Sequence, residues 1–219
     1  MNILFVGASS EIASNVSKKL NFNIYGISRK KNSKYKKVYL IKDYNKSKIN
    51  SLIEKIDVKF DNVFIFNGKY NQSLLKFFDI KEFNSTLNAN FFIPIFIINK
   101  LISMDKVREK SSINFVSSEA SSKPDLGNAY YSISKNVVNF SVKILSKEYE
   151  KKGIRFNSIS LGFVKTKFAT NILENYLKKH QSKIMSKHGK KFVSIGDIVK
   201  IIKKICLNKK FNGRNFVLK

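Results

Sequence analysis

The chain has 219 residues, of which 42 are Lys or Arg and 15 are Asp or Glu, for a formal net charge of +27. That length suits a single domain, 1–219, with a full core, and a lone cysteine, Cys206, excludes an internal disulfide or a thiolate metal cluster. The positive excess is almost all lysine, with only Arg29, Arg108, Arg155 and Arg214 as arginines; spread along a chain rich in Asn and Ile, it reads as compositional drift rather than as a nucleic-acid surface built from arginine forks.

The longest apolar run, Phe91 to Ile98, is too short to span a bilayer. No basic segment, apolar core and cleavage site precede the first strand-like run. With the cysteine count, this sets the expectation of a cytoplasmic protein with no membrane partner.

Asn2-Ile3-Leu4-Phe5-Val6 is a short apolar run of the kind that forms a buried parallel strand. It leads into Gly7-Ala8-Ser9-Ser10-Glu11-Ile12-Ala13 and an amphipathic helix through Val16 and Leu20. A strand, a turn of small residues and a helix start make a cradle for phosphate, since the first amides of a helix lack internal partners. The plain alternative is an ordinary strand-to-helix turn.

A second strand, Asn23 to Ile27, ends in Ser28-Arg29-Lys30-Lys31. In dinucleotide-binding folds an acid after this strand takes the ribose 2′-hydroxyl of NAD, and a basic residue accommodates the 2′-phosphate of NADP. Ser28 and Arg29, with no carboxylate beside them, therefore favour NADP(H), with NAD(H) as the alternative. A third strand, Lys37 to Ile41, ends at Asp43, and the short polar link from Arg29 to Lys36 leaves no room for a full crossover helix. Lys46 to Ile56 has helical spacing, and Asn62 to Phe66 reads as the fourth strand, followed by Asn67-Gly68. Lys81 to Met104 reads as one long apolar helix kinked by Pro94, which frees the carbonyl of Asn90 four residues back.

Ile113 to Ser117 is the fifth strand, with Ser118 at its end. Tyr130 to Lys151 is the helix that follows, closed by Gly153. Tyr131 and Lys135 are four residues apart and share one face of it. A phenol has an ordinary pKa of about 10, and an ammonium nearby favours the phenolate, so the pair is an acid/base unit suited to neutral pH. In so lysine-rich a chain this spacing also arises by chance, as in Tyr44 and Lys48. Ile154 to Ser160 is the sixth strand, and Gly162, Val164 and Thr166 follow where ligands gather in open parallel sheets. Lys167 to Lys191 reads as a lid, with His180 and His188 solvated in it. Ser194 caps a last helix to Leu207, and Asn215 to Leu218 is the final strand. Strands alternating with helices give a doubly wound α/β fold: one Rossmann-like parallel sheet with helices on both faces.

In this register the chain resembles the short-chain dehydrogenase/reductase family over nearly its full length. Gly7 to Ala13, with Ser9, Ser10 and Ile12, resembles the family's Gly-x-x-x-Gly-x-Gly cofactor loop, although Glu11 and Ala13 stand where that loop has glycines. Asn67-Gly68 resembles the end of its Asn-Asn-Ala-Gly motif, with Ile65 and Phe66 replacing the first asparagines. Asp43 matches the acid that contacts adenine. Asn157 to Thr166 matches the segment facing the nicotinamide, with Leu161 in place of a proline. Asn90, Ser118, Tyr131 and Lys135 match the catalytic tetrad.

The resemblance implies that Tyr131 exchanges a proton with a carbonyl or alcohol while hydride passes to or from the nicotinamide. It implies that Ser118 stabilises the carbonyl oxygen, that Lys135 tunes Tyr131 and holds the cofactor ribose, and that Asn90 positions a water in the proton relay. The expected activity is an NADP(H)-dependent reduction of a small carbonyl compound, 3-oxoacyl or sugar-related. The altered glycine and asparagine positions leave a second reading, a catalytically silent dinucleotide-binding sensor or scaffold. The family likeness also implies a homodimer or homotetramer, through the helices 81–104 and 130–151. No metal site is expected.

Overall fold

The computed structural model of the protein describes residues 1–167 and 192–219. Apart from Lys167, the stretch read as a lid, with His180 and His188, lies outside the described residues. Seven strands form one sheet: β1 Asn2–Val6, β2 Asn23–Ser28, β3 Lys37–Leu40, β4 Phe60–Ile65, β5 Val107–Ser118, β6 Arg155–Leu161 and β7 Asn215–Leu218. Every pairing is parallel and the spatial order is β3-β2-β1-β4-β5-β6-β7. The chain winds outward from β1 to β3, crosses back, and winds the other way from β4. A crevice therefore opens beyond the carboxyl ends of β1 and β4, where such sheets take ligands.

Among the described residues six α-helices pack around the sheet: α1 Glu11–Ser17, α2 Lys46–Glu54, α3 Ile80–Leu87, α4 Ile93–Ser103, α5 Ala129–Glu148 and α6 Ile195–Leu207. β1, β2 and β4 are mostly apolar and buried because both faces of the sheet are covered there. β1 shows how the period of two serves this: Leu4 and Val6 enter one core cluster, with Ile49 and Ile53 of α2, Ile97 of α4 and Val138 of α5. Ile3 and Phe5 enter the other, with Ala13 and Val16 of α1 and Ile198 and Ile202 of α6. Gly26 of β2 leaves room for the loop after β1, since a Cβ there would stand 2.8 Å from the Cβ of Ala8.

The polar link after β2 carries no helix, as expected, and Ser194 caps α6 by accepting from the Asp197 amide. Two expectations are corrected. The fifth strand starts at Val107 rather than Ile113, because its first residues pair with β4 through a register shift between Phe60 and Asn62. The helix expected from Lys81 to Met104 is one helical run, Ile80–Ser103, but it contains a π turn, Asn88–Phe92, in which the Ile93 amide bonds the Asn88 carbonyl five residues back. Pro94 then falls in the first turn of α4, where its missing N–H costs little. By length and composition alone Ile80–Ser103 would cross a membrane, yet Ile97, Ile98 and Leu101 are buried against the sheet.

Candidate active site

The chemistry-bearing side chains gather beyond the carboxyl ends of the strands. β5 delivers Ser118 at its last position. The loop after it turns through Gly127, at a left-handed φ of 80°, into α5, which presents Tyr131 and Lys135 one turn apart. The Ser117 hydroxyl donates to the Lys135 carbonyl at 3.3 Å, tying the helix to the strand end. Lys135 is buried, and its Nζ lies 5.8 Å from the centre of the Tyr131 ring. That amine donates to the carbonyls of Val116 at 3.1 Å and Asn67 at 3.4 Å, and burial draws its pKa down to about 8. Burial acts the other way on the Tyr131 phenol, raising its pKa, and a hydrogen bond with Ser118 pulls part of the way back. The expected lowering by Lys135 is therefore not the dominant effect here. Desolvation of the phenol outweighs it, and the amine is turned to backbone oxygens. The outcome is a phenol that keeps its proton across the neutral range. Tyr130, its neighbour, is structural: its hydroxyl accepts from the Asp79 amide at 2.6 Å.

Asn90 sits in the π turn, buried. Its Oδ1 accepts from the Lys69 amide at 2.6 Å, and its Nδ2 donates to the Lys69 carbonyl at 3.0 Å and to Ser134 Oγ at 2.7 Å. Ser134 Oγ in turn donates to the Tyr131 carbonyl at 2.7 Å. Asn90 thus links the strand-four loop to the first turn of α5.

These groups share a cavity of about 820 Å³ with the loop after β1. Gly7, at a φ of 76°, turns that loop; a Cβ there would stand 2.9 Å from the amide and the Oδ1 of Asn67. Ser10 caps α1 by accepting from the Ala13 amide at 3.1 Å. Glu11, which brought a carboxylate towards the cradle, accepts from the Lys167 amide at 2.9 Å. Arg29 and Tyr44 line the same cavity, Gly162, Val164 and Thr166 form the wall beyond β6, and Asn67 Oδ1 is buried without a partner.

A family model of short chain dehydrogenases matches residues 26–177. The chain belongs to the short-chain dehydrogenase family. It is thus a member of a family of oxidoreductases. The chain is 30% identical, over 165 residues and 74% of its length, to the 3-oxoacyl-acyl-carrier-protein reductase FabG of Buchnera aphidicola, and spans 62% of that relative's length. Solved structures that share the fold include the following two. A 4-hydroxyisoleucine dehydrogenase complexed with NADH aligns at a TM-score of 0.83 and 21% identity, covering 100% of this chain and 96% of that one. ElxO with NADP bound aligns at 0.82 and 20%, covering 99% and 96%.

Of the site residues expected from sequence, the fold brings Gly7, Ser9, Ser10, Ile12, Arg29, Asn67, Gly68, Ser118, Tyr131, Lys135, Gly162, Val164 and Thr166 to one cavity. Three stand outside its lining. Asn90 acts from behind it, through Lys69 and Ser134. Ser28 is buried, and its Oγ accepts from the Lys30 amide at 3.1 Å, closing its own turn. Asp43 turns to α2, where Lys48 at 3.1 Å and Asn45 at 2.8 Å hold its carboxyl below the usual range. Tyr44 lines the cavity in its place. Sequence reasoning passed over Tyr44 and Tyr70 as wall residues. An aromatic four or five positions past a strand end, as Tyr44 is past Leu40 and Tyr70 past Ile65, carries no pattern that separates wall from core.

The residues of this cavity fit a nicotinamide dinucleotide: a glycine turn that no Cβ could fill, an orphaned amide oxygen beside it, and a basic residue at the end of β2.

Proposed function

We propose that this protein is an NADP(H)-dependent reductase of a small carbonyl compound. The reading is carried by Tyr131, a phenol that burial keeps protonated, hydrogen-bonded to Ser118 on the wall of the cavity that also holds the Gly7 loop. A protonated acid is what carbonyl reduction needs as negative charge develops on oxygen. Tyr131 supplies that proton, and Ser118 steadies the oxygen as charge grows. Lys135, with a pKa near 8, is a ready source to restore the Tyr131 proton. Asn90 holds the loop and the helix that carry these groups. The dinucleotide, when bound, supplies the hydride.

Arg29 is the residue for the 2′-phosphate. It is exposed at the end of β2 and lines the cavity beside Tyr44. A 2′-phosphate against its guanidinium gains a charge-assisted contact of about 1.5–3 kcal/mol. The Glu11 carboxylate accepts from the Lys167 amide while lining the same cavity, and with the replaced asparagines it is the motive for the alternative, a silent sensor.

The substrate class we favour is a 3-oxoacyl or sugar-related carbonyl, handled in the cytoplasm. The experiment is consumption of NADPH and NADH over a panel of ketones, aldehydes and 3-oxoacyl thioesters. Turnover with NADPH preferred supports the reading; cofactor binding with no turnover on any member of the panel contradicts it.

A further inference from the structure

The cavity wall contains a second phenol that the reaction as proposed does not use. Tyr70 lies two residues past Gly68, in the stretch that leaves β4 and runs across the front of α5. Its ring stands edge-to-face against the ring of Tyr131, with centroids 5.3 Å apart and planes at 65°. Its hydroxyl donates to Oδ1 of Asn128 at 2.5 Å. Asn128 is the residue before α5, and its side chain makes no capping bond to the helix. Tyr70 is therefore fixed at both ends, ring on the acid and hydroxyl on the helix entry.

The backbone that carries Tyr70 is held on both sides. Lys69 is clamped through its amide and carbonyl by Asn90. The Lys69 amine reaches Glu82 Oε2 at 2.9 Å and Ser85 Oγ at 2.8 Å, and Asn71 donates to Glu82 Oε2 at 2.7 Å. The Ser73 amide donates to the Gly127 carbonyl at 2.8 Å. A surface loop with this many anchors has little freedom, and the side chain at its centre inherits that rigidity.

We propose that Tyr70 is a positioning residue for Tyr131: its ring, locked by the bond to Asn128, fixes the orientation of the Tyr131 phenol towards Ser118 and covers one side of it from water. An edge-to-face pair favours one relative ring geometry over others, and small misplacements of a reacting group carry large costs in rate. The inference deepens the reading of Tyr131 as the acid and rests on it for its kinetic part.

Ser118 at the end of β5 and Lys135 one turn along α5 stand beside the phenol. Glu11, Arg29, Lys69, Glu119, Lys123 and Asp125 are the other charged side chains on the cavity wall. Substitution at residue 70 leaves all of them in the chain. Two variants separate ring from hydroxyl. Tyr70→Phe keeps the ring and drops the bond to Asn128; Tyr70→Ala removes both.

The first readout needs no substrate. Tyr131 ionisation is isolated as the difference in phenolate ultraviolet absorbance between each protein and the same protein carrying Tyr131→Phe. Tyr70→Ala admits water to Tyr131, so its titration moves down towards the ordinary value, while Tyr70→Phe stays near wild type. Identical Tyr131 titration in wild type and a folded Tyr70→Ala overturns the proposal, whatever the enzyme's substrate proves to be. The second readout is turnover on a carbonyl that the wild type accepts. We expect kcat to fall about tenfold to a hundredfold in Tyr70→Ala and about threefold in Tyr70→Phe, with KM for the cofactor unchanged. A merely structural role would lower thermal stability and leave kcat per folded molecule at the wild-type value, and that result also overturns it.

Discussion

Lys135 sits among carbonyl oxygens with 4% of its surface exposed, and burial brings its pKa from the usual 10.5 to about 8. The sign of the consequence follows from proton counting. Between about 8 and 10.5 the unfolded chain keeps this proton and the folded protein has released it. The unfolded state binds more protons there, so stability from this group rises with pH, by at most about 1.4 kcal/mol per unit. Below pH 8 the cost of the buried ammonium is borne in full. Urea unfolding of wild type and Lys135→Met should therefore give a stability difference that shifts in favour of wild type from pH 8 to 10; a flat difference means the amine is not desolvated in the fold. Arg29 makes a separate test at this scale. Arg29→Asp should weaken NADPH by roughly tenfold to a hundredfold and NADH much less, with both dissociation constants measured at one salt concentration. Equal weakening of the two would remove Arg29 from the 2′-phosphate site.

The π turn between α3 and α4 is the element that aligns the site, and its buried residue is Asn90. Asn90→Ala leaves the amide and carbonyl of Lys69 and the Ser134 hydroxyl without this partner. That should cost about 1–3 kcal/mol, read as a lower melting temperature, with loss of turnover at temperatures where the variant is still folded. Asn90→Asp keeps Oδ1 for the Lys69 amide but loses both donations, and should fall between. Full activity in Asn90→Ala would show that the clamp does not serve catalysis. Much of this was legible in the sequence. Apolar runs bounded by small and polar residues marked the strands from Asn2 to Leu218, and the order of Gly7, Ser118, Tyr131, Lys135 and Gly162 marked one crevice. The π turn was not legible, because Pro94 has the same local signature whether it kinks a helix or starts one. Nor were the partners of Asp43 and Ser28, since a short polar side chain at a strand end faces ligand or its own turn with equal local propensity. Tyr131's proton affinity depends on how many atoms surround it, which no spacing records.

On the whole molecule, Phe92, Ile133, Phe140 and Ile144 are exposed on the π turn and α5, with Phe140 at 62%. An apolar set of this kind on two adjacent elements suits a self-complementary contact, and a two-fold dimer is the smallest closed assembly. Light scattering at micromolar concentration and moderate salt should give a dimer or a multiple of it, and Phe140→Lys with Ile144→Lys should give a monomer. A wild-type monomer would refute the contact. The charge of +27 bears on solubility and on nonspecific attraction to polyanions, which physiological salt should abolish. The central claim is that a protonated Tyr131 donates to a carbonyl oxygen in a cavity built for a dinucleotide. Its most direct test is Tyr131→Phe, which removes one oxygen and keeps the ring against Tyr70. Measured side by side, NADPH affinity should stay within about threefold of wild type, while NADPH consumption with an accepted carbonyl should fall by about 10²-fold or more. Wild-type consumption by Tyr131→Phe would contradict the account.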